Sequence, residues 1–330
     1  MTALVAPPMV RRPASAGIVI ALASALAFAS SGPVMKPLLE AGWSLGAALL
    51  LRMGGAAVLL SPWLIRAVVR NPRAFVRHTP LIVGFGLTAV AGCQLFYFSA
   101  MQRIPVGVAL LIQYLAPVLL VLGVWLRTRR RPAAIVLVGT GVAMLGLLLV
   151  VDLTGATFDP LGVALALCAA VCAAAYFVIA ERTGDTMPPL ALAAGGLVVG
   201  TVLMAVLTAT GALPFVAPAV TTGMLGLAVP WFASVAWVVV VATALGYALG
   251  VQAVPRIGSR LASFVGLTEV LFAVLFAWLL LGETPGLVQA AGGALILVGV
   301  VLVRLDSAPL TRGGGAPAGE AAIVPVVPAP

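Results

Sequence analysis

The sequence predicts an all-α polytopic membrane protein, with ten transmembrane helices arranged as two inverted five-helix repeats. Three observations predict it: a composition nearly empty of charge, an internal repetition of the chain, and a one-sided distribution of arginine. Of the 330 residues, 63% are hydrophobic and 8% are charged, where a soluble domain carries roughly a quarter charged. Apolar runs approach or reach the roughly 20 residues that carry a helix across a bilayer core. The 36 glycines and 24 prolines agree with this class, since membrane helices tolerate both.

The repetition is in register. Tyr97, Gln102 and Pro105 recur 150 residues later as Tyr247, Gln252 and Pro255. Past the proline the interval is 153: Ala109, Val121, Leu122, Trp125, Pro132, Gly139 and Gly146 recur as Ala262, Val274, Leu275, Trp278, Pro285, Gly292 and Gly299. One register with a single three-residue insertion marks two copies of one unit. The units are placed at 17–155 and 156–305, between a cytoplasmic tail at 1–16 and a Pro/Gly/Ala-rich, periodless tail at 306–330 that is expected to be disordered and cytoplasmic.

Taken in order, the expected spans are 17–36, 43–64, 80–101, 105–126, 133–151, 161–180, 188–209, 231–254, 257–281 and 285–304. Arg11 and Arg12 before the first run resemble a signal peptide. No convincing small-residue cleavage site follows, so the run is read as an uncleaved helix. Ser30-Ser31-Gly32-Pro33 predicts a local break late in that span. An even number of spans puts both ends on one side. With the N-terminus inside, fifteen of the 18 cations are cytoplasmic, including the loops Arg66–Arg77 and Arg127–Arg131. Lys36 and Arg103 fall outside and Arg52 lies within the second span. That is the positive-inside pattern, so the net charge of +9 reads as topology rather than nucleic-acid binding. Trp43, Trp231 and Trp278 fall near the outer boundary, Trp63 and Trp125 near the inner one, as an aromatic belt requires. Five spans per copy is an odd number, so the second copy enters upside down. In transporters built this way the binding site lies at the repeat interface near mid-depth. The 211–230 segment, with Pro214, Pro218 and Pro230, reads as a longer external loop.

Glu269 is the sharpest chemical signal. Ala262, Gly266, Ala273 and Ala277 share its helix face, and small residues admit close helix neighbours, so the acid points into the bundle. There it is protonated or partnered: a coupling group for a proton or cation, a substrate anchor, or a neutral structural bond to the next helix. Arg52, near mid-membrane, can bind a substrate carboxylate in fork geometry, pair with Glu269, or be structural. Gln94, Tyr97, Gln113, Tyr114, Tyr176, Tyr247, Ser30 and Ser31 add polar groups deep in spans. They can line a pocket for a polar-organic solute or act singly as interhelical bonds. Gly196/Gly200 and Gly246/Gly250 read as helix-packing pairs. Pro105 and Pro255 are candidate hinges.

Zinc-peptidase and nucleotide-binding motifs are missing: His78 is the one histidine, and no HExxH or GxxxxGK[ST] occurs. Cys168 and Cys172 share a helix face without further ligands, so neither a metal nor any cofactor is expected. Expected partners are a small-molecule substrate, membrane lipid and, through self-association, a homodimer. No nucleic acid is among them.

Leu267-Thr268-Glu269 followed by Phe276-Ala277-Trp278-Leu279-Leu280-Leu281-Gly282-Glu283-Thr284 resembles the EamA-type branch of the drug/metabolite transporter superfamily. The fourth helix of each repeat there carries Glu-Pro and then a run ending in Leu-Gly-Glu. This chain departs from that pattern: the second copy has Glu269-Val270, and the first has Ala116-Pro117 with Arg129-Arg130 in place of Gly-Glu. The resemblance covers about residues 17–304 and implies alternating access around a central cavity without a nucleotide-driven engine. The function expected is a secondary transporter in a prokaryotic inner membrane, exporting small amphiphilic metabolites such as amino acids. The alternatives are a proton-coupled multidrug exporter of lipophilic cations and a non-transporting membrane scaffold.

Overall fold

The computed structural model describes residues 14–101, 103–104, 106–150, 159–183, 187–282 and 284–307. Among these, nine helices are long and apolar enough to cross a membrane: α1 (Ser15–Glu40), α2 (Leu45–Arg70), α3 (Pro72–Ala100), α4 (Val108–Thr128), α6 (Pro160–Thr183), α7 (Pro189–Ala209), α8 (Trp231–Ile257), α9 (Ser259–Leu281) and α10 (Leu287–Asp306). Between α4 and α6 lies a shorter apolar helix, α5 (Ala134–Val150). Its 17 residues make it about 25 Å long at 1.5 Å per residue. Pro105 and both chain ends lie outside the described residues.

Helix ends follow local chemistry. Ser44 accepts from the Ala47 N–H (3.3 Å) to start α2. Asn71 accepts from the Ala74 N–H (3.1 Å), with Pro72 as the first helical residue of α3; both are standard N-terminal signals. These signals correct the expected Arg66–Arg77 loop. The helices run on past the predicted ends, leaving Asn71 alone between α2 and α3. His78 is therefore helical, its Nδ1 2.6 Å from the Ala74 carbonyl. At the C-terminal end of α4 Arg129 adopts left-handed φ 56°, and at the equivalent end of α9 Gly282 adopts φ 75°. Residues 129 and 282 are separated by the repeat interval, so both copies end this helix in the same way.

The 211–230 segment is more ordered than the loop expected from sequence. Thr221–Met224 (β1) and Leu227–Pro230 (β2) pair antiparallel, with Thr221 opposite Pro230. Leu225 (φ 55°) and Gly226 (φ 72°) form the turn, the two-residue connection with both φ values positive that suits strand twist. The Leu225 N–H reaches the Leu280 carbonyl (3.0 Å), and the Trp43 indole N–H reaches the Pro218 carbonyl (2.9 Å). The segment thus straps the end of α9 to the start of α2.

Packing places equivalent helices side by side. α5 lies against α10 and α2 against α7. A β-carbon on Gly146 would stand 2.5 Å from the Gly292 carbonyl oxygen, and one on Gly292 would stand 2.6 Å from that of Gly146. Gly139 and Gly299 make the same reciprocal approach, at 3.0 and 2.6 Å. Early α5 therefore meets late α10, and the two run antiparallel. Gly46 lies near Thr208, and Gly54 near Thr201, so α2 and α7 are antiparallel as well. The first helix of each unit crosses over to the other: α1 packs on α8 and α9, α6 on α3 and α4. The largest buried cluster forms where α2, α3, α7 and α8 meet, around Met53, Phe85, Leu197 and Val251.

Candidate functional site

Besides α1, which breaks at Ser30, four helices on which the expected site residues lie depart from regular α-helix. α4 is interrupted after Gln113 and resumes at Ala116, and α9 is interrupted at Leu267 between Gly266 and Thr268. The repeat interval superimposes the two breaks. In α4, Pro117 has no N–H to offer the Gln113 carbonyl. In α9 the Thr268 hydroxyl takes the Val265 carbonyl at 2.6 Å, a side-chain bond that competes with the helical one. The break puts Glu269 in the first turn of the second half-helix, where unpaired N–H groups attract negative charge. α3 and α8 each contain a π-helical stretch, Gly86–Gly92 and Val238–Leu245. Such stretches concentrate at functional sites.

These irregular stretches are bonded across the two units. Arg52 Nε donates to the Thr243 hydroxyl (3.2 Å) in the π stretch of α8, and one Nη donates to the Gln94 amide oxygen (3.2 Å) on α3. The Tyr247 hydroxyl donates to the Ala89 carbonyl (3.3 Å) in the π stretch of α3. Tyr114, at the α4 break, lines the same cavity as Glu269 and interacts with it electrostatically. Arg52 interacts with Glu269 electrostatically, while its hydrogen bonds go to Thr243 and Gln94. Two of the five guanidinium donors are thus held by protein.

The elements enclose a cavity of about 900 Å³. Glu269, Arg52, Gln94, Tyr97, Gln113, Tyr114, Tyr176, Tyr247 and Ser31 all line it, as does the Ala262/Gly266/Ala273/Ala277 face of α9. At one end it reaches Lys36 and Glu40, whose side chains are exposed. At the other it closes on Ala21, Ser24, Ala253 and Val254. Next to that end the Phe28 and Tyr247 rings meet edge to face at 5.0 Å, and Tyr176 and Phe177 do the same at 5.0 Å. Most of the remaining wall is Ala, Leu, Val and Phe. A second hollow of about 520 Å³, between the hairpin and the end of α9, is lined by Gly, Leu and Met among the described residues.

Two expected residues lie elsewhere. The helix does break at Ser30, but Ser30 is buried away from the cavity, donating to the Ala27 carbonyl (2.7 Å) and accepting from the Trp237 indole (3.1 Å). Pro255 sits within α8, which continues to Ile257; the chain turns only at Gly258, with φ 80°. The glycine pairs pack as their spacing suggests, Gly196 against Phe85 and Gly246 against Phe28. The sequence reading passed over Thr243, Ser24 and Cys93. Cys93 accepts from the Gln113 amide at 3.5 Å. Small polar residues in an apolar run were the available signal.

The family model of the "EamA-like transporter family" matches residues 15–152 and again residues 160–305. The chain belongs to the EamA-like transporter family. Its relatives within the family's range include the "Threonine/homoserine exporter RhtA" of Escherichia coli (strain K12), 27% identical over 89% of this chain and 90% of that protein. Another is the "Probable terminal-alkyne amino-acid exporter" of Streptantibioticus cattleyicolor, 29% identical over 84% of this chain and 89% of that protein. One solved crystal structure of a protein superposes with a TM-score of 0.67 at 21% identity, covering 90% of this chain and 100% of that one. At that identity it speaks to the fold alone. This EamA-like chain is thus a multi-pass membrane transporter rather than an enzyme.

Proposed function

We propose that this EamA-like protein is a secondary transporter of the bacterial inner membrane that exports small amphiphilic metabolites, amino acids foremost, by alternating access. The observation that carries the reading is the cavity itself, a space of about 900 Å³ lined by the charged side chains of both Arg52 and Glu269. A zwitterionic amino acid offers a carboxylate and an ammonium to match. The Arg52 donors left over from Thr243 and Gln94 bind the carboxylate. Glu269 receives the ammonium, with the Gln113 amide oxygen, a buried acceptor without a hydrogen-bond partner, as a second contact. Both named exporters above carry amino acids in their descriptions, which supports the same substrate class.

The reading takes all ten helices as membrane-crossing, α5 included, in two inverted repeats with both termini cytoplasmic. The antiparallel packing of α5 on α10 and of α2 on α7 supports inversion, because each pair joins helices at equivalent places in the repeat. On this topology Lys36 and Glu40 mark the outer end, so the cavity faces outward. Glu269 alternates between the substrate ammonium and a proton, which would link export to proton entry. A lipophilic cation suits the apolar walls but meets Arg52 as a like charge.

The test is counterflow in proteoliposomes containing the full chain, with an amino-acid panel beside lipophilic cationic dyes. Saturable amino-acid exchange is expected. Dye exchange alone makes the protein a multidrug carrier, and exchange of neither class removes both amino acids and lipophilic cations as its substrates.

A further inference from the structure

The 211–230 segment, which carries the hairpin, lacks the composition of a loop in water. None of its residues is charged, where a water-facing stretch of that length carries about five at the usual quarter. Its exposed side chains are instead apolar: Phe215 is 50% exposed, Leu225 62% and Leu227 65%. Leu225 stands in the hairpin turn at φ 55°, a position that favours asparagine or glycine. Its β-carbon disfavours that conformation, and its side chain has little protein to pack on. The patch continues the surface of the spans. Phe232 at the start of α8, and Trp278 and Leu279 near the end of α9, are exposed as well, and Leu279 shares a hollow with Leu225. The Trp43 and Trp231 rings meet at 5.6 Å, and the Trp43 indole bonds the Pro218 carbonyl of the segment. Amphipathic rings of this kind sit at headgroup level.

We infer that this segment is a lipid-docking surface, lying along the headgroup boundary with the Phe215, Leu225 and Leu227 side chains among the acyl chains. Its depth is bounded from both sides. Each strand of a two-stranded sheet pairs within the sheet on one side only, and hydrocarbon does not satisfy open backbone edges, so the strands stay at headgroup level. Large apolar side chains gain by leaving water, so they reach inward from there. With no charge in the segment, the docking needs apolar burial alone and zwitterionic lipid suffices. The Leu225 N–H holds the Leu280 carbonyl at 3.0 Å. A docked hairpin therefore also fixes the far end of the half-helix Thr268–Leu281, which carries Glu269.

The test is the emission of an environment-sensitive fluorophore attached at Leu225→Cys, in the full chain with Cys93, Cys168 and Cys172 replaced by alanine, in nanodiscs of zwitterionic lipid. Phe215→Cys gives a second reading of the same surface should the turn reject the label. Arg130→Cys, exposed in the basic cluster, is the aqueous reference. At positions 225 and 215, emission is expected to be lost with acyl-brominated lipid and largely kept with aqueous iodide. At position 130 the reverse is expected. Quenching by iodide and not by brominated lipid at 225 and 215 would overturn the docking surface. Protection from both quenchers would overturn it as well, assigning the patch to a second copy of the chain or another protein. None of these outcomes bears on which substrate the cavity takes, so the transport reading stands or falls separately.

Discussion

The Nε of Arg52 donates to the hydroxyl of Thr243 across 3.2 Å, joining a helix of the first unit to a π-helical turn of the second. A cation buried to 9% exposure is thereby oriented by the opposite half of the protein. Any movement of one half against the other changes what its guanidinium faces. Arg52→Lys keeps the charge but loses the planar fork. Amino-acid exchange is expected to fall at least about tenfold in that variant, with Arg52→Ala lower still. Thr243→Ala releases one bond and keeps the charge, so a smaller rise in KM is expected. Initial rates of counterflow measure all three.

Glu269 interacts electrostatically with Arg52 and with Tyr114 at the break in α4. Glu269→Gln preserves size and hydrogen bonding but cannot take up a proton. If the acid exchanges a proton for substrate, an acid exterior speeds export by the unaltered protein and leaves Glu269→Gln indifferent. Efflux recorded over a series of external pH values, with internal pH fixed, is the measurement. A Glu269→Gln variant that retains the full pH response would remove Glu269 from coupling.

These two residues were legible in the sequence for one reason: hydrocarbon does not tolerate an unexplained charge. The duplication was legible for another, since a shared register survives in Gly139/Gly292 and Gly146/Gly299. Helix ends were less so. The arginines from Arg66 to Arg77 signal a membrane boundary but say nothing of helix termination, which depends on the one cap at Asn71. The α9 break was hidden because Thr268 bonds back to the Val265 carbonyl as other threonines do inside unbroken helices, and a single glycine, Gly266, next to Leu267 does not by itself end a helix. Each strand of the hairpin is four residues long, too short for alternation to stand out among prolines and glycines.

The α5–α10 contact depends on hydrogen alone at four positions. Gly292→Ala places a methyl group 2.6 Å from a backbone carbonyl, where no side chain can rotate away. A loss of about 1–3 kcal/mol is expected from overpacking, read as a lower midpoint of thermal unfolding in detergent. Gly141→Ala, on the facing helix α5 with nothing within 4 Å of the new carbon, is the control and should leave the midpoint nearly unmoved.

Arg129 occupies the left-handed cap that Gly282 fills in the second unit. For a residue with a β-carbon this conformation costs about 1–2 kcal/mol. Arg129→Gly is expected to raise the unfolding midpoint, recovering most of that strain. The adjacent Arg130 and Arg131 keep the basic cluster at this helix end, so insertion topology should hold.

Asp159 caps α6, accepting from the Leu161 N–H at 2.9 Å and from Arg103 at 3.2 Å. The backbone bond first, and the guanidinium second, hold its carboxyl below the usual carboxylate range. A group whose folded-state value is depressed contributes stability above its unfolded value, near 3.9, and loses it as pH falls toward the lower folded value. The contribution is therefore complete at neutral pH and fades below about pH 4. Asp159→Ala should be less stable than the unaltered protein at pH 7, and the gap should narrow as the medium is acidified. Asp159→Asn separates the two causes, because an amide oxygen still caps the helix while the attraction to Arg103 is gone. Unfolding midpoints of the three proteins in detergent at pH 7 and near pH 3.5 decide it. Asp159→Asn lying close to the unaltered protein at pH 7 would assign the effect to the cap, and lying close to Asp159→Ala would assign it to Arg103.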